Sequence, residues 1–448
     1  MGNGLNPTFR LLQRVVSSGY RAILKEEIGP EAKNFINNLL IVTLGSGLAS
    51  LGTFAFTILG GRLLGPEEFG KFSLIQSVAF ILYIPMLAGF GVGLVKYASE
   101  TSNLLQQKKI LGTTFRLTAL TTVVSVIVIL LLRPWIIEIF SITPEMLIIA
   151  LFVSVVYVLS SMANSVQRGL KLMKSYAVWQ PVYAFILLVL FGVFAFLRVD
   201  SFRAMALPLL VAYGITGLGI MIMLGVRNHL SFGYDYNTAK KLMKYSFFGL
   251  IVLISSSIYT NVGRIFVAHY LTFSDVGVYS AYFGSSINLG SILFLTFNAV
   301  FFPTISGYED QRPVLAKFER ILPYFVIGGI TGVFIFESIA LRLFGEGYPR
   351  DIWLMVLFAA TTVLNIWYLV YSNVFNAKGL RGAKYSAVTV VIMALVIFSL
   401  SFGLIPIFGV AGAVGASAIS FGVGIIFLRG FRQQVFGRLN DQPPTNLN

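Results

Sequence analysis

The chain has 448 residues, of which 56% are hydrophobic and only 11% charged, and its mean hydropathy is +0.83. That composition excludes a soluble globular domain. With no cysteine there are neither disulfides nor thiolate metal sites, and His229 and His269 are too few for a histidine metal cluster. The net charge of +15 is scattered through short gaps between apolar runs, which points to orientation in a membrane with an anionic inner leaflet and not to nucleic acid.

Residues 1–33 form a polar tail, too polar for a cleaved signal peptide, so the first span is expected to act as its own insertion signal. At 100° per residue Arg10, Arg14, Arg21 and Lys25 share one face, with Phe9, Leu12, Val16, Tyr20 and Ile23 opposite. This pattern predicts a basic amphipathic helix on the inner membrane surface. About twelve apolar runs follow, near 34–61, 70–95, 110–132, 146–166, 178–198, 204–226, 243–271, 276–303, 321–344, 352–376, 384–408 and 410–429. In lipid the backbone must satisfy its own hydrogen bonds, so runs of about 20 apolar residues read as membrane-spanning helices.

An even count puts both termini on one side. Most of the 33 Lys and Arg then fall in alternate gaps: Lys96, Lys108, Lys109 and Arg116; Arg168, Lys171 and Lys174; Arg227, Lys240, Lys241 and Lys244; Arg312, Lys317 and Arg320; Lys378, Arg381 and Lys384; Arg429, Arg432 and Arg438. The excess of positive charge assigns that side, with both termini, to the cytoplasm. The outer connections are too short for a folded domain.

Sliding the chain on itself by 207 positions lays Arg62–Ser73 over His269–Ser280, so that Leu64/Leu271, Glu68/Asp275, Gly70/Gly277 and Ser73/Ser280 coincide. At an offset of 210, Gly169–Lys174 lies over Gly379–Lys384. Six spans separate the copies, so the halves share one orientation about an axis along the membrane normal. The expected architecture is an all-α integral membrane protein, with six-helix bundles at 34–240 and 241–429 around a central cavity and a cytoplasmic tail at 430–448.

Three segments carry a resemblance: Asn34-Phe-Ile-Asn-Asn-Leu39, Gly61-Arg-Leu-Leu-Gly-Pro-Glu-Glu-Phe-Gly-Lys-Phe-Ser73 and Gln167-Arg-Gly-Leu-Lys-Leu-Met-Lys174. Over about 34–430 the chain resembles the polysaccharide transporter family of lipid-linked oligosaccharide flippases, O-antigen flippases among them. That family lies in the superfamily that also holds multidrug and toxin extrusion proteins and lipid II flippases. The resemblance implies a V-shaped molecule that moves a polyprenyl-pyrophosphate-linked sugar chain between leaflets of the cytoplasmic membrane. Its implied partners are the lipid-linked glycan, membrane lipids and the polymerase and export machinery of a cell-surface polysaccharide. It implies no cofactor and no catalysis.

A phosphate-bearing headgroup needs a polar path. Span seven offers Ser257, Thr260, Asn261 and Arg264 on one face, and span one offers Ser46, Ser50, Thr53 and Thr57 in the same way. Arg264 lies at membrane depth, where a guanidinium usually faces protein or water, and its planar fork suits a phosphate or pyrophosphate. Small hydroxyl residues also serve close helix packing, and Arg264 could snorkel. Spans one, two, seven and eight hold no acid, which favours an anion over a cationic drug. Glu337 is the clearest intramembrane carboxylate and Glu138 is borderline; Glu337 is expected to pair with Arg342 or Arg133, or to carry a coupling ion. Further polar stripes for sugar hydroxyls are Tyr157, Ser161, Asn164 and Arg168, then Asn365, Tyr368, Ser372 and Asn376, with Asn288, Ser291 and Asn298 in span eight. An ion-coupled exporter of small amphipathic or cationic compounds is the alternative on the same fold.

Overall fold

A computed structural model describes residues 30–225, 235–306 and 311–436, with side chains from Leu40 onward. The expected amphipathic helix of the tail lies outside the described residues, as do Arg227 and Arg438. The described chain is helical from end to end. Its helices are α1 (Pro30–Leu87), α2 (Phe90–Ser99), α3 (Leu104–Leu131), α4 (Arg133–Phe140), α5 (Pro144–Gly169), α6 (Met173–Phe196) and α7 (Arg203–Met223), followed by α8 (Tyr236–Tyr270), α9 (Phe273–Phe283), α10 (Leu289–Ser306), α11 (Arg312–Phe344), α12 (Ile352–Ala377) and α13 (Leu380–Phe436).

Two of these helices each contain two spans. The 48 residues from Leu40 to Leu87 would stretch about 72 Å at 1.5 Å per residue, more than twice a hydrocarbon core of about 30 Å. The helix is divided at Gly65 (φ 75°), and α13 is divided likewise at Gly409 (φ 59°). A left-handed φ costs glycine little and other residues more, so these two glycines are where the long helices break. The break at Gly65 falls between the first two expected spans, and that at Gly409 between the last two. Span eight runs through α9, a π-helical turn at Gly284–Asn288 and α10. Twelve spans result, six on either side of the 226–234 connection.

Span two ends in its own break. Ala88 and Gly89 both adopt positive φ just after Pro85, and the Thr121 hydroxyl donates to the Met86 carbonyl at 2.6 Å, satisfying an acceptor near the break. A Cβ on Gly89 would stand 2.4 Å from the Ser246 carbonyl, so α8 crosses span two at that break.

The repeat is visible in equivalent contacts. The Tyr348 hydroxyl, in the connection after span nine, donates to the Gly61 carbonyl near the exit of span one at 2.9 Å. Its counterpart in the other half, Ser141, lies 3.2 Å from Nδ1 of His269 at the exit of span seven. Each half therefore braces the end of the other's first span. The turn after Gly65 is held by Lys71, which pairs with Glu67 and Glu68 at 2.9 and 2.6 Å, while Glu68 also accepts from the Phe202 amide. At the other end of the C-terminal half, Glu319 pairs with Arg432 at 3.3 Å and Arg429 at 3.7 Å and accepts from the Tyr371 hydroxyl.

Candidate functional site

Span one turns its polar stripe away from lipid. Leu44, Leu48, Leu51 and Leu59 are exposed and lie on one face, and 100° per residue puts Ser50, Thr53 and Thr57 on the opposite one. A third face packs closely on α6, where a Cβ on Gly45 would meet the Ala177 carbonyl at 2.2 Å. The Thr53 hydroxyl donates to Ser50 O and that of Thr57 to Thr53 O, at 3.0 and 2.9 Å. These hydroxyls therefore present their remaining lone pairs toward the protein interior while bonding their own helix.

In span seven, three of the expected residues form one network. Asn261 Nδ2 donates to Ser257 O (3.0 Å) and Thr260 Oγ1 (3.0 Å) and lies 3.3 Å from Ser257 Oγ. The Ser257 hydroxyl in turn donates 3.1 Å to the Phe80 carbonyl of span two, across the two halves. Ser257 is thus an inter-half clasp as well as part of a stripe. No described contact joins the stripe of span one to that of span seven.

Arg264 sits one turn beyond Asn261. Its Nε donates to Ser280 Oγ at 3.1 Å and its guanidinium lies 4.6 Å from the centre of the Phe283 ring. It is neither fully buried nor turned wholly to the surface. Among the described residues no carboxylate pairs with it, and the ionisable group set beside it is the Tyr279 phenol. One guanidinium edge is fixed by Ser280, and its charge is left uncompensated. Asn288, at the end of the π-helical turn, is exposed. Asn365 donates to Ser291 at 3.0 Å and so ties span ten to span eight.

Glu337 departs from the expected pairing. It is completely buried and, among the described residues, neither carboxylate oxygen has a hydrogen-bond partner, so it pairs with neither Arg342 nor Arg133. Five residues along a helix is 500°, which leaves Arg342 about 140° around α11 from Glu337. Glu138 is exposed on α4.

Two cavities among the described residues bear on the site. One of about 370 Å³ lies between the halves, lined by Ile81, Phe140, Val262, Phe266 and Phe402 among others, and is almost wholly apolar. The other, of about 320 Å³, is polar and aromatic and lies inside the N-terminal half between α5, α6 and α7. Reading span four as a polar stripe found one wall of this second cavity, Tyr157, Ser161, Asn164 and Arg168. The opposite wall was missed. Tyr176, Trp179, Gln180 and Tyr183 recur at i, i+3, i+4 and i+7 in an otherwise apolar span, a signal present in the sequence.

Twelve spans in two like-oriented halves define the class, a polytopic membrane protein, and solved transporters share its fold. An inward-facing multidrug resistance MATE family transporter of the MOP superfamily aligns over 88% of this chain and 98% of its own, at 17% identity and a TM-score of 0.69. The lipid II flippase MurJ, in an inward closed conformation, aligns over 87% and 86%, at 14% identity and TM-score 0.63. An outward-facing MATE family transporter gives 90% and 96%, at 16% identity and TM-score 0.60. The model of the family described as polysaccharide biosynthesis protein matches residues 35–309, and the chain belongs to that family. No curated protein sequence matches it.

Proposed function

We propose that the protein is a flippase. It moves a polyprenyl-(pyro)phosphate-linked oligosaccharide across the cytoplasmic membrane for cell-surface polysaccharide synthesis, by alternating access of bundles 34–240 and 241–429. The observation that carries this reading is Arg264, a partly accessible guanidinium with no carboxylate partner among the described residues, held by Ser280 within acid-free spans. A charge at membrane depth is costly unless an anion or water meets it, and a phosphate accepts a guanidinium's paired N–H groups. Asn261, Thr260 and Ser257 extend the polar wall, and Ser50, Thr53, Thr57 and Asn288 supply hydroxyls and an amide for the headgroup and its sugars. The apolar cavity beside Val262 and Phe266 suits hydrocarbon at the membrane edge of the path. Membership of the polysaccharide biosynthesis family supports a glycan cargo, and MurJ, on the same fold, is a lipid II flippase. The positive-inside pattern supports a cytoplasmic location for both termini. Glycan polymerase and export proteins are the expected neighbours in the membrane.

A second reading is an ion-coupled exporter of small amphipathic or cationic compounds, and Glu337 is the observation that favours it. A buried carboxylate without a partner among the described residues can exchange a proton or sodium ion. On the flippase reading the same residue is assigned to the coupling cation.

The test is translocation of a fluorescent lipid-linked oligosaccharide in proteoliposomes. Arg264→Ala is expected to slow flipping at least about tenfold, the loss of a charge-assisted hydrogen-bonded contact, and Arg264→Lys to fall between. Native rates in both variants refute the phosphate role. Efflux of cationic dyes without glycolipid movement favours the exporter.

A further inference from the structure

The polar cavity inside the N-terminal half is lined on one side by Asn164 and Arg168 of α5, on the second by Trp179 and Gln180 of α6, and on the third by Tyr213 of α7, with Tyr183 between. Its aromatic groups are held in place by one another. The rings of Tyr183 and Tyr213 stack at 4.8 Å with a 17° tilt, and Tyr157 stands edge-on to Tyr213 at 4.9 Å. Gly219 makes room for the indole, because a Cβ there would stand 2.7 Å from Trp179.

The polar groups differ from those of a packed core. The side-chain amides of Asn164 and Gln180 make no hydrogen bond to any described residue, and both are half-buried against the cavity. Two half-buried amides that face one cavity without a partner among the described residues are free to bond solvent or a ligand there. Each amide offers two donors and an acceptor, which matches the mixed donor and acceptor character of sugar hydroxyls. The indole and phenol faces supply flat apolar surface for the C–H face of a pyranose ring. Among the described residues no carboxylate lines the cavity, and the Arg168 guanidinium in its wall disfavours a cation.

The cavity also connects to the inter-half clasp. From Tyr213 the aromatic contacts pass to Tyr157, then to Tyr83 and Phe80 of span two, each at 4.9 Å. Phe80 is the residue whose carbonyl accepts from Ser257.

We infer that this cavity is a carbohydrate subsite, which takes an uncharged sugar unit of the glycan between the Trp179 and Tyr183/Tyr213 faces and hydrogen-bonds it through Asn164 and Gln180. The inference rests on the flippase reading and deepens it: the sugar is held within one half, apart from the phosphate at Arg264.

The test uses the full chain in nanodiscs with Trp135, Trp353 and Trp367 replaced by Phe, so that Trp179 alone reports. The probes are the lipid-linked oligosaccharide fraction from the host's membranes, the glycan released from it by mild acid, and ethidium as an aromatic cation. Calorimetry on the otherwise native chain, and on its N164A/Q180A and R264A variants, gives the dissociation constants independently of the Phe replacements. The expected result is that both glycolipid and released glycan shift Trp179 emission. N164A/Q180A should weaken both about tenfold, the loss of two hydrogen bonds, with an unchanged melting temperature. R264A should weaken only the glycolipid. Glycolipid binding with no response to released glycan, or native affinity in N164A/Q180A, overturns the subsite and leaves the flippase reading standing. Failure of the native protein to bind the glycolipid overturns both. A Trp179 response to ethidium alone assigns the cavity to aromatic cations and overturns the subsite.

Discussion

Gly70 and Gly277, which the 207-residue offset makes equivalent, each press against the other half's chain at the position corresponding to the other's own contact. A Cβ on Gly70 would stand 1.8 Å from the Phe273 carbonyl, and one on Gly277 would stand 1.9 Å from the carbonyl of Pro66, the equivalent of Phe273. The pseudo-twofold axis therefore passes between these glycines, where the second spans of the two halves meet backbone to backbone.

Replacing either glycine with alanine has to push those backbones apart. Overpacking of this kind costs about 1–3 kcal/mol. Both G70A and G277A are expected to lower the melting temperature in detergent by comparable amounts, with the double variant falling short of the sum because both relieve the same crossing. A fully additive double variant argues against a shared contact.

Glu337 is a fully buried carboxyl group with no hydrogen-bond partner among the described residues. Glu337→Gln keeps the shape of the side chain and removes its acidic proton. It is expected to abolish any acceleration of transport by an imposed proton or sodium gradient. If E337Q responds to the gradient as the native protein does, the coupling assignment is wrong.

Glu319 holds two guanidiniums and a phenol at the end of the C-terminal half, and Arg429 also lies 5.1 Å from the Trp367 ring. Glu319→Ala leaves Arg429 and Arg432 side by side without a counter-charge. Because these groups are partly solvated, the expected loss is about 1 kcal/mol. A thermal double-mutant cycle with R432A measures it, and zero coupling energy would show the pair to be incidental.

Asp235 caps α8, accepting from the Thr238 amide at 3.0 Å and from its hydroxyl. These hydrogen bonds to Thr238 hold its carboxyl below the ordinary carboxylate range. A depressed folded value means that the cap is fully formed above the unfolded carboxylate's range and is lost as pH falls through the folded one. Amide exchange in the first turn of α8 is therefore expected to quicken on acidification in the native chain, beyond the intrinsic rate. D235N keeps the cap and loses that acid response, and D235A exchanges quickly throughout. The same acid response in D235N would place the titrating group elsewhere.

The spans were legible because lipid leaves a helix no choice but a long apolar run, and the repeat was legible because its matches lie in turns, where hydropathy does not force them. The offset that aligned Glu68 with Asp275 also makes Pro66 the equivalent of Phe273, and the structure brings these two segments together across the axis. The site was only partly legible. Arg264 stood out as a lone charge among apolar residues, whereas the fate of Glu337 depended on the side of α11 from which its arginine neighbours project. The Trp179 cavity required three helices to converge, and only one of its walls had been read as a wall. Span two also ended earlier than its hydropathy suggested, since an apolar run does not record that α8 crosses it at Gly89.

The π-helical turn at Gly284–Asn288 has no counterpart in the first half, where the equivalent residues 77–81 continue an ordinary α-helix. An extra residue in one turn is stored twist: expelling it would swing everything beyond by about 100° with little loss of backbone bonding. Two arms built on a single blueprint thus differ in compliance, and any ratchet between them can have a built-in direction.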